Sequence, residues 1–104
     1  MAYKVVFTEL AGKQLESCFL YILFEFNDNF AADAFTKDAD ETIDYLSHFP
    51  NSLPICEDAE LKKHGYRMVH FKKHRYKMVY LVKDSTVEIH GVYHNLQDLT
   101  RHMI

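Results

Sequence analysis

Apolar residues recur at spacings of three and four through the first half of this chain, and at a spacing of two through most of the second. No one regular element satisfies both periods, so the chain must build helices first and strands afterwards. Ala11, Leu15, Cys18, Phe19, Ile22 and Phe26 define one helical face. Thr8 stands before it as a cap, with Glu9 favourable in the first turn. Asn27-Asp28-Asn29 interrupts the pattern and offers a second cap. Ala31, Phe35, Ala39, Ile43 and Leu46 then define a second face, with Asp33, Lys37, Asp40, Glu41 and Asp44 largely outside it. This helix stops before Pro50, because a proline disfavours helix at the residue before it. Two amphipathic helices across a short break predict an αα-hairpin.

Strand-like runs lie on either side of the hairpin. Tyr3 to Thr8 is short, β-branched and aromatic; Tyr66 to Phe71, Tyr76 to Val82 and Thr86 to Tyr93 follow the hairpin. Asp84-Ser85 supplies a tight turn between the last two. Asn51 to Gly65 reads as the longest irregular stretch, and Leu96 to Ile104 suits one short C-terminal helix. The expected architecture is α+β, ordered β-α-α-β-β-β. The N-terminal strand and helical hairpin pack on a small, mainly antiparallel four-stranded sheet. At 104 residues the chain has room for one domain, residues 1–104, with a core that needs no staples. Phe19, Ile22, Phe26, Phe35 and Ile43 are expected in that core, and Tyr66, Tyr76, Tyr80 and Tyr93 in the packing of the sheet.

Several classes of function drop out. Cys18 and Cys56 are the only cysteines, and neither has a second Cys or His at ligand spacing, so we expect free thiols in a reducing cytoplasm and no metal or cofactor. The start of the chain does not resemble a signal peptide. The longest apolar run, Phe19 to Phe24, is far short of a membrane span and is followed by Glu25. A cytoplasmic protein with no membrane partner is expected.

The net charge of −3 hides a division. Residues 1–60 hold three Lys and twelve acids, net −9; residues 61–104 hold nine Lys or Arg and three acids, net +6. Six of the seven His lie in the second part. Such a two-faced molecule suits an anionic partner, nucleic acid or acidic peptide, and equally a solvated surface with pairing inside the molecule.

Short motifs in the second half add a resemblance. Gly65-Tyr66-Arg67 opens a strand. Tyr76-Lys77-Met78-Val79-Tyr80 stands where toxins of the RelE/ParE superfamily typically show Tyr-Arg-x-x-Tyr. The run Val87 to His94, with Asp98 four residues on, is similar to the His-x-x-x-Asp ending of ParE-type toxins, the plasmid-stabilisation type. Tyr3 to Thr8, followed by a helix with Ala11 and Leu15, resembles the family opening. The resemblance implies a curved antiparallel sheet with an N-terminal helical hairpin. It also implies the toxic half of a type II toxin–antitoxin system, held inactive by an antitoxin whose C-terminal segment wraps the toxin. RelE-like members cleave messenger RNA in the ribosomal A site; ParE-like members poison DNA gyrase and so inhibit growth.

The two branches make different demands on the residues. RNA cleavage by 2′-hydroxyl attack needs a base, cations for the phosphorane and an acid for the leaving oxygen. Lys62, Lys63, Arg67, Lys72, Lys73, Arg75 and Lys77 are the candidate cations, and His70, His74, His90 and His94 the candidate acids and bases. An endoribonuclease on the RelE pattern would use Arg67, Lys77 and His94. A binding surface would draw on Lys62, Lys63, Arg67, Lys72, Lys73, Arg75, His94 and Asp98, with Asp98 positioned to orient the His94 imidazole if the tail begins helically. The pattern departs from a ribonuclease in three places. Lys77 replaces an Arg and loses its bidentate fork on phosphate. Gly91 stands where many members carry an Arg, and the C-terminal Tyr of several ribosome-dependent members is missing.

The expectation is therefore a ParE-like toxin that acts by binding, with gyrase as target. The ribosome with its mRNA is the alternative target. A nontoxic remnant or interaction domain is the reading that the net acidity suits, because family toxins are usually basic. An antitoxin is expected as partner, in a hetero-oligomer or beside a homodimer, its apolar residues near the hairpin and its acidic residues on the basic half.

Overall fold

A computed structural model describes residues 2–96. The elements run β1 (Lys4–Phe7), α1 (Glu9–Phe26), α2 (Asn29–His48), α3 (Ala59–Lys63), β2 (Arg67–His70), β3 (Tyr76–Lys83) and β4 (Thr86–His94). The expected order is present, with α3 added inside the stretch read as irregular. The short C-terminal helix expected over Leu96–Ile104 falls largely outside the described residues.

Local chemistry sets the helix ends. Thr8 Oγ1 accepts from the Ala11 amide at 3.1 Å and opens α1. Asn27 closes α1 in the left-handed conformation, φ 45°, which Asn tolerates better than most residues. Asp28 then caps α2 through the Phe30 amide at 2.8 Å. Three consecutive polar residues thus end one helix and start the next. Asp58 does the same for α3, accepting from Glu60 and Leu61. This short cap-and-turn signal, too brief to show a helical period, is why the element was not legible from spacing.

The sheet order is β1-β4-β3-β2. β1 runs parallel to β4, and the other two pairings are antiparallel. Asp84, at φ 55°, turns β3 into β4, where Lys83 pairs with Thr86. A bulge between Val79 and Tyr80 lets Gly91 and Ile89 face successive β3 residues. β1 ends opposite Ile89, and the Val92 amide farther along β4 donates instead to Gln14 Oε1 of α1 at 3.0 Å.

The helical hairpin covers one face of the sheet. Ala11, Ile22, Phe35, Ala39 and Leu46 meet Val69, Met78, Tyr80, Val87, Ile89 and Val92 in one core. Phe19 and Ile43 pack against it half-buried, as does Tyr76. Phe26 does not join them. It is 63% exposed at the last turn of α1, where the hairpin has run past the sheet, and Tyr21, Phe24 and Phe30 around it are exposed too. Tyr80 and Tyr93 are fully buried and Tyr66 is half-buried, so the tyrosines serve the sheet largely as expected. Among the described residues no helix is long and apolar enough to cross a membrane.

Candidate functional site

Strand register separates the three residues that an RNA-cleaving site would combine. Arg67 pairs with Tyr80 and His94 with Tyr76, while Lys77 pairs with Tyr93. Side chains alternate along β3, so Arg67 and His94 share the face of Tyr76 and Tyr80, and Lys77 takes the other. Arg67 and His94 flank β3 on opposite sides, four β3 residues apart, roughly 15 Å between their backbones.

Each of the three is also engaged. Arg67 donates through Nη1 to the Leu53 carbonyl, and Tyr80 donates to the Pro50 carbonyl at 2.7 Å. Together they fasten the loop after α2 to the sheet. Burial pushes the Tyr80 hydroxyl up to about 12, with the nearby Arg67 charge opposing, so it stays a donor at any physiological pH. Lys77 is only 7% exposed, and its ammonium donates to the Asn95 carbonyl at 3.1 Å. The His94 ring stands edge-on to Tyr76, 5.4 Å between centroids, and its Nδ1 accepts from the Leu96 amide at 3.2 Å. Asp98, its expected partner, lies outside the described residues.

Gly91 has a packing reason. A Cβ there would sit 2.7 Å from the Tyr93 hydroxyl and Cζ, because that ring folds back over the glycine. Tyr93 thus fills the space next to Lys77 where a strand cation would otherwise project. The face away from the hairpin is closed as well: Val79 and Tyr93 are 0% and 2% exposed. A side chain begun at Gly65 would reach Leu81 at 4.0 Å, so the segment after α3 approaches this face.

The basic clusters occupy opposite ends of one edge strand. Lys62 and Lys63 lie on α3 before β2; Lys72, Lys73 and Arg75 lie in the turn after it, all exposed. They share an edge, as their positions flanking a strand predict, but do not converge on one point. The second cluster is organised by a residue that the sequence reading passed over. Asp38 of α2, 2% exposed, accepts the backbone amides of Lys72, Lys73 and His74 at 3.2, 2.9 and 2.9 Å, and bonds the His74 ring at 2.7 Å. Burial alone pushes its carboxyl up. The His74 and backbone hydrogen bonds outweigh that and hold it below the usual carboxylate range. An acid three residues after Phe35 and four before Thr42, on the buried stripe of a helix, is the signal that could have found it.

Beside this clip, a groove of about 1260 Å³ opens between α2 and β2. Tyr45, Phe49, Leu53, Ile55, Met68 and Val69 contribute its apolar surface. No group of three or more His, Cys, Asp or Glu side chains suited to a metal occurs among the described residues. Cys18 and Cys56 are free thiols, and burial raises both, Cys18 to about 11.

A protein-family profile described as "ParE toxin of type II toxin-antitoxin system, parDE" matches residues 5–99. A solved structure described as "Chromosomal ParDE TA system from P. aeruginosa" superposes with a TM-score of 0.73, covering 89% of this chain and 96% of that one at 16% identity. At that identity the superposition speaks for the fold alone. No curated protein sequence matches the chain. The family match spans nearly the whole chain, and the β-α-α-β-β-β frame agrees with it: the chain belongs to the ParE toxin family of type II toxin–antitoxin systems.

Proposed function

We propose that this chain is a growth-inhibiting toxin that acts by binding a macromolecular target, DNA gyrase, and not by cutting RNA, and that a cognate antitoxin neutralises it. The observation that carries the reading is the state of Lys77. A ribonuclease needs its cations where a phosphorane can meet them. Lys77 is buried, held on the Asn95 carbonyl and flanked by Tyr93, and it lies on the opposite face from Arg67 and His94. Arg67, Lys77 and His94 do not converge on one phosphate-sized place. Gyrase as target, and inhibition by antitoxin, come from the family.

Purified bacterial gyrase supplies the test. Added protein should inhibit supercoiling of a relaxed plasmid or trap cleaved DNA in proportion to its concentration. Unaffected gyrase, together with cleavage of a ribosome-bound messenger, would transfer the chain to the endoribonuclease branch.

A further inference from the structure

Half of the large apolar side chains that stand exposed among the described residues fall within residues 20–30, at the tip of the helical hairpin. Phe24 and Phe26 end α1, Tyr21 stands one turn before them, and Phe30 opens α2 across the Asn27-Asp28 break. Their exposures are 74%, 63%, 59% and 80%, with Leu20 beside them at 38%. Scattered apolar side chains are ordinary on a surface; gathered ones mark a contact. Phe26 also lies one turn beyond buried Ile22 on the core stripe of α1, so the stripe runs on past the sheet that it packs against. Charge narrows the choice of occupant. From Gln14 to Thr36 the chain holds no Lys or Arg, while Glu25, Asp28 and Asp33 border the rings, all exposed. Such a border turns away nucleic acid, acidic chains and anionic membranes.

We infer that a second copy of this chain covers the hairpin tip, in a symmetric dimer that pairs the aromatic cluster with itself. Area supports it. An aromatic side chain buries roughly 150–250 Å², so the exposed fractions of these four come to about 550 Å² per copy. Two copies together remove about 1,100 Å² from solvent, above the ~1,000 Å² that a specific interface requires. Shape supports it too. The hairpin projects past the sheet, so two copies meet tip to tip with their sheets apart. Four helix ends then surround one aromatic core, as in a helix bundle, and a two-fold axis closes the pair. Asp28 already accepts from the Phe30 amide at 2.8 Å, which leaves Glu25 and Asp33 as the like charges facing each other across the border. Association driven by the rings against that repulsion tightens as salt screens the carboxylates, the reverse of pairing with a basic partner. This dimer does not depend on the toxin reading.

Sedimentation equilibrium of the purified full chain, from micromolar to millimolar concentration, supplies the test. The mass should rise from 12.3 kDa to twice that and no further, and the dissociation constant should fall as salt is added. The variant F24S/F30S should weaken the dimer by about tenfold or more, with circular dichroism like that of the parent. L10S, which removes an exposed apolar residue at the far end of α1, should leave the dimer intact. Amide chemical shifts of the parent on dilution need no variant: they should move within residues 20–30 and hold still in β2 and β3. A monomer at every concentration, a dimer that F24S/F30S leaves unchanged, or one that loosens with salt would overturn the inference. So would assembly beyond two copies, or shifts that move elsewhere. None of these readouts involves gyrase or growth, so the dimer and the toxin reading stand or fall separately.

Discussion

Asp38 carries much of the structure around the β2–β3 turn on one side chain. Four hydrogen bonds converge on a carboxylate with almost no solvent contact. Asp38→Asn keeps the shape but turns an amide toward backbone donors, and should cost about 2 kcal/mol at pH 7. The sign of the pH effect follows from the lowered folded pKa. The stabilisation is fully present above the unfolded value near ~4, and is lost as pH falls through the lower folded value. Thermal melts of the two proteins should therefore differ at pH 7 and converge toward pH 2–3; a gap that stays constant would show that the charge is not what matters. Gly91 supports a second expectation at this scale. Gly91→Arg should displace the Tyr93 ring and destabilise the fold by about 1–3 kcal/mol. An unchanged denaturation midpoint would mean that the ring swings aside freely.

At the scale of elements, the helical hairpin was legible because its signals are local. Thr8 and Asp28 are caps by residue type, and two stripes of apolar residues each run four turns or more. Thr8→Ala removes the bond to the Ala11 amide and should cost about 1 kcal/mol, a fall in Tm of roughly 4–8 °C. A change within error would place the start of α1 under the control of β1 and the core alone. The strands were legible from their period of two, and Asp84 from its residue type. Three features were not. α3 has five residues, little more than one turn, so no period announces it. Phe26 falls on the apolar face of α1 by spacing, yet the sheet it should pack against ends before it. The Asp38 clip joins residues more than thirty positions apart, and no local pattern encodes such a contact.

Across the whole molecule, the division of charge along the chain becomes a division in space that its linear order only half indicates. The acidic first part supplies α2 and one wall of the groove; the basic second part supplies the two ends of β2. Residues grouped by type as one candidate site, Arg67, Lys77 and His94, are dispersed by register over two faces, because alternation along β3 assigns neighbours in sequence to opposite sides. Register and the bulge at Val79/Tyr80 are set by long-range pairing, so the dispersal was beyond the reach of motif spacing. On the proposed reading the fold presents a surface for partners, with Arg67, Lys77 and the Asp38–His74 pair committed to holding the sheet and its loops while the two basic clusters stay exposed. Pulse labelling after induction from a tight promoter tests that claim most directly, by following thymidine and amino-acid incorporation over the first minutes. A binding toxin directed at gyrase should depress thymidine incorporation first, with protein synthesis following later. Amino-acid incorporation falling first would contradict it and return Arg67, Lys77 and His94 to the status of an RNA-cleaving set.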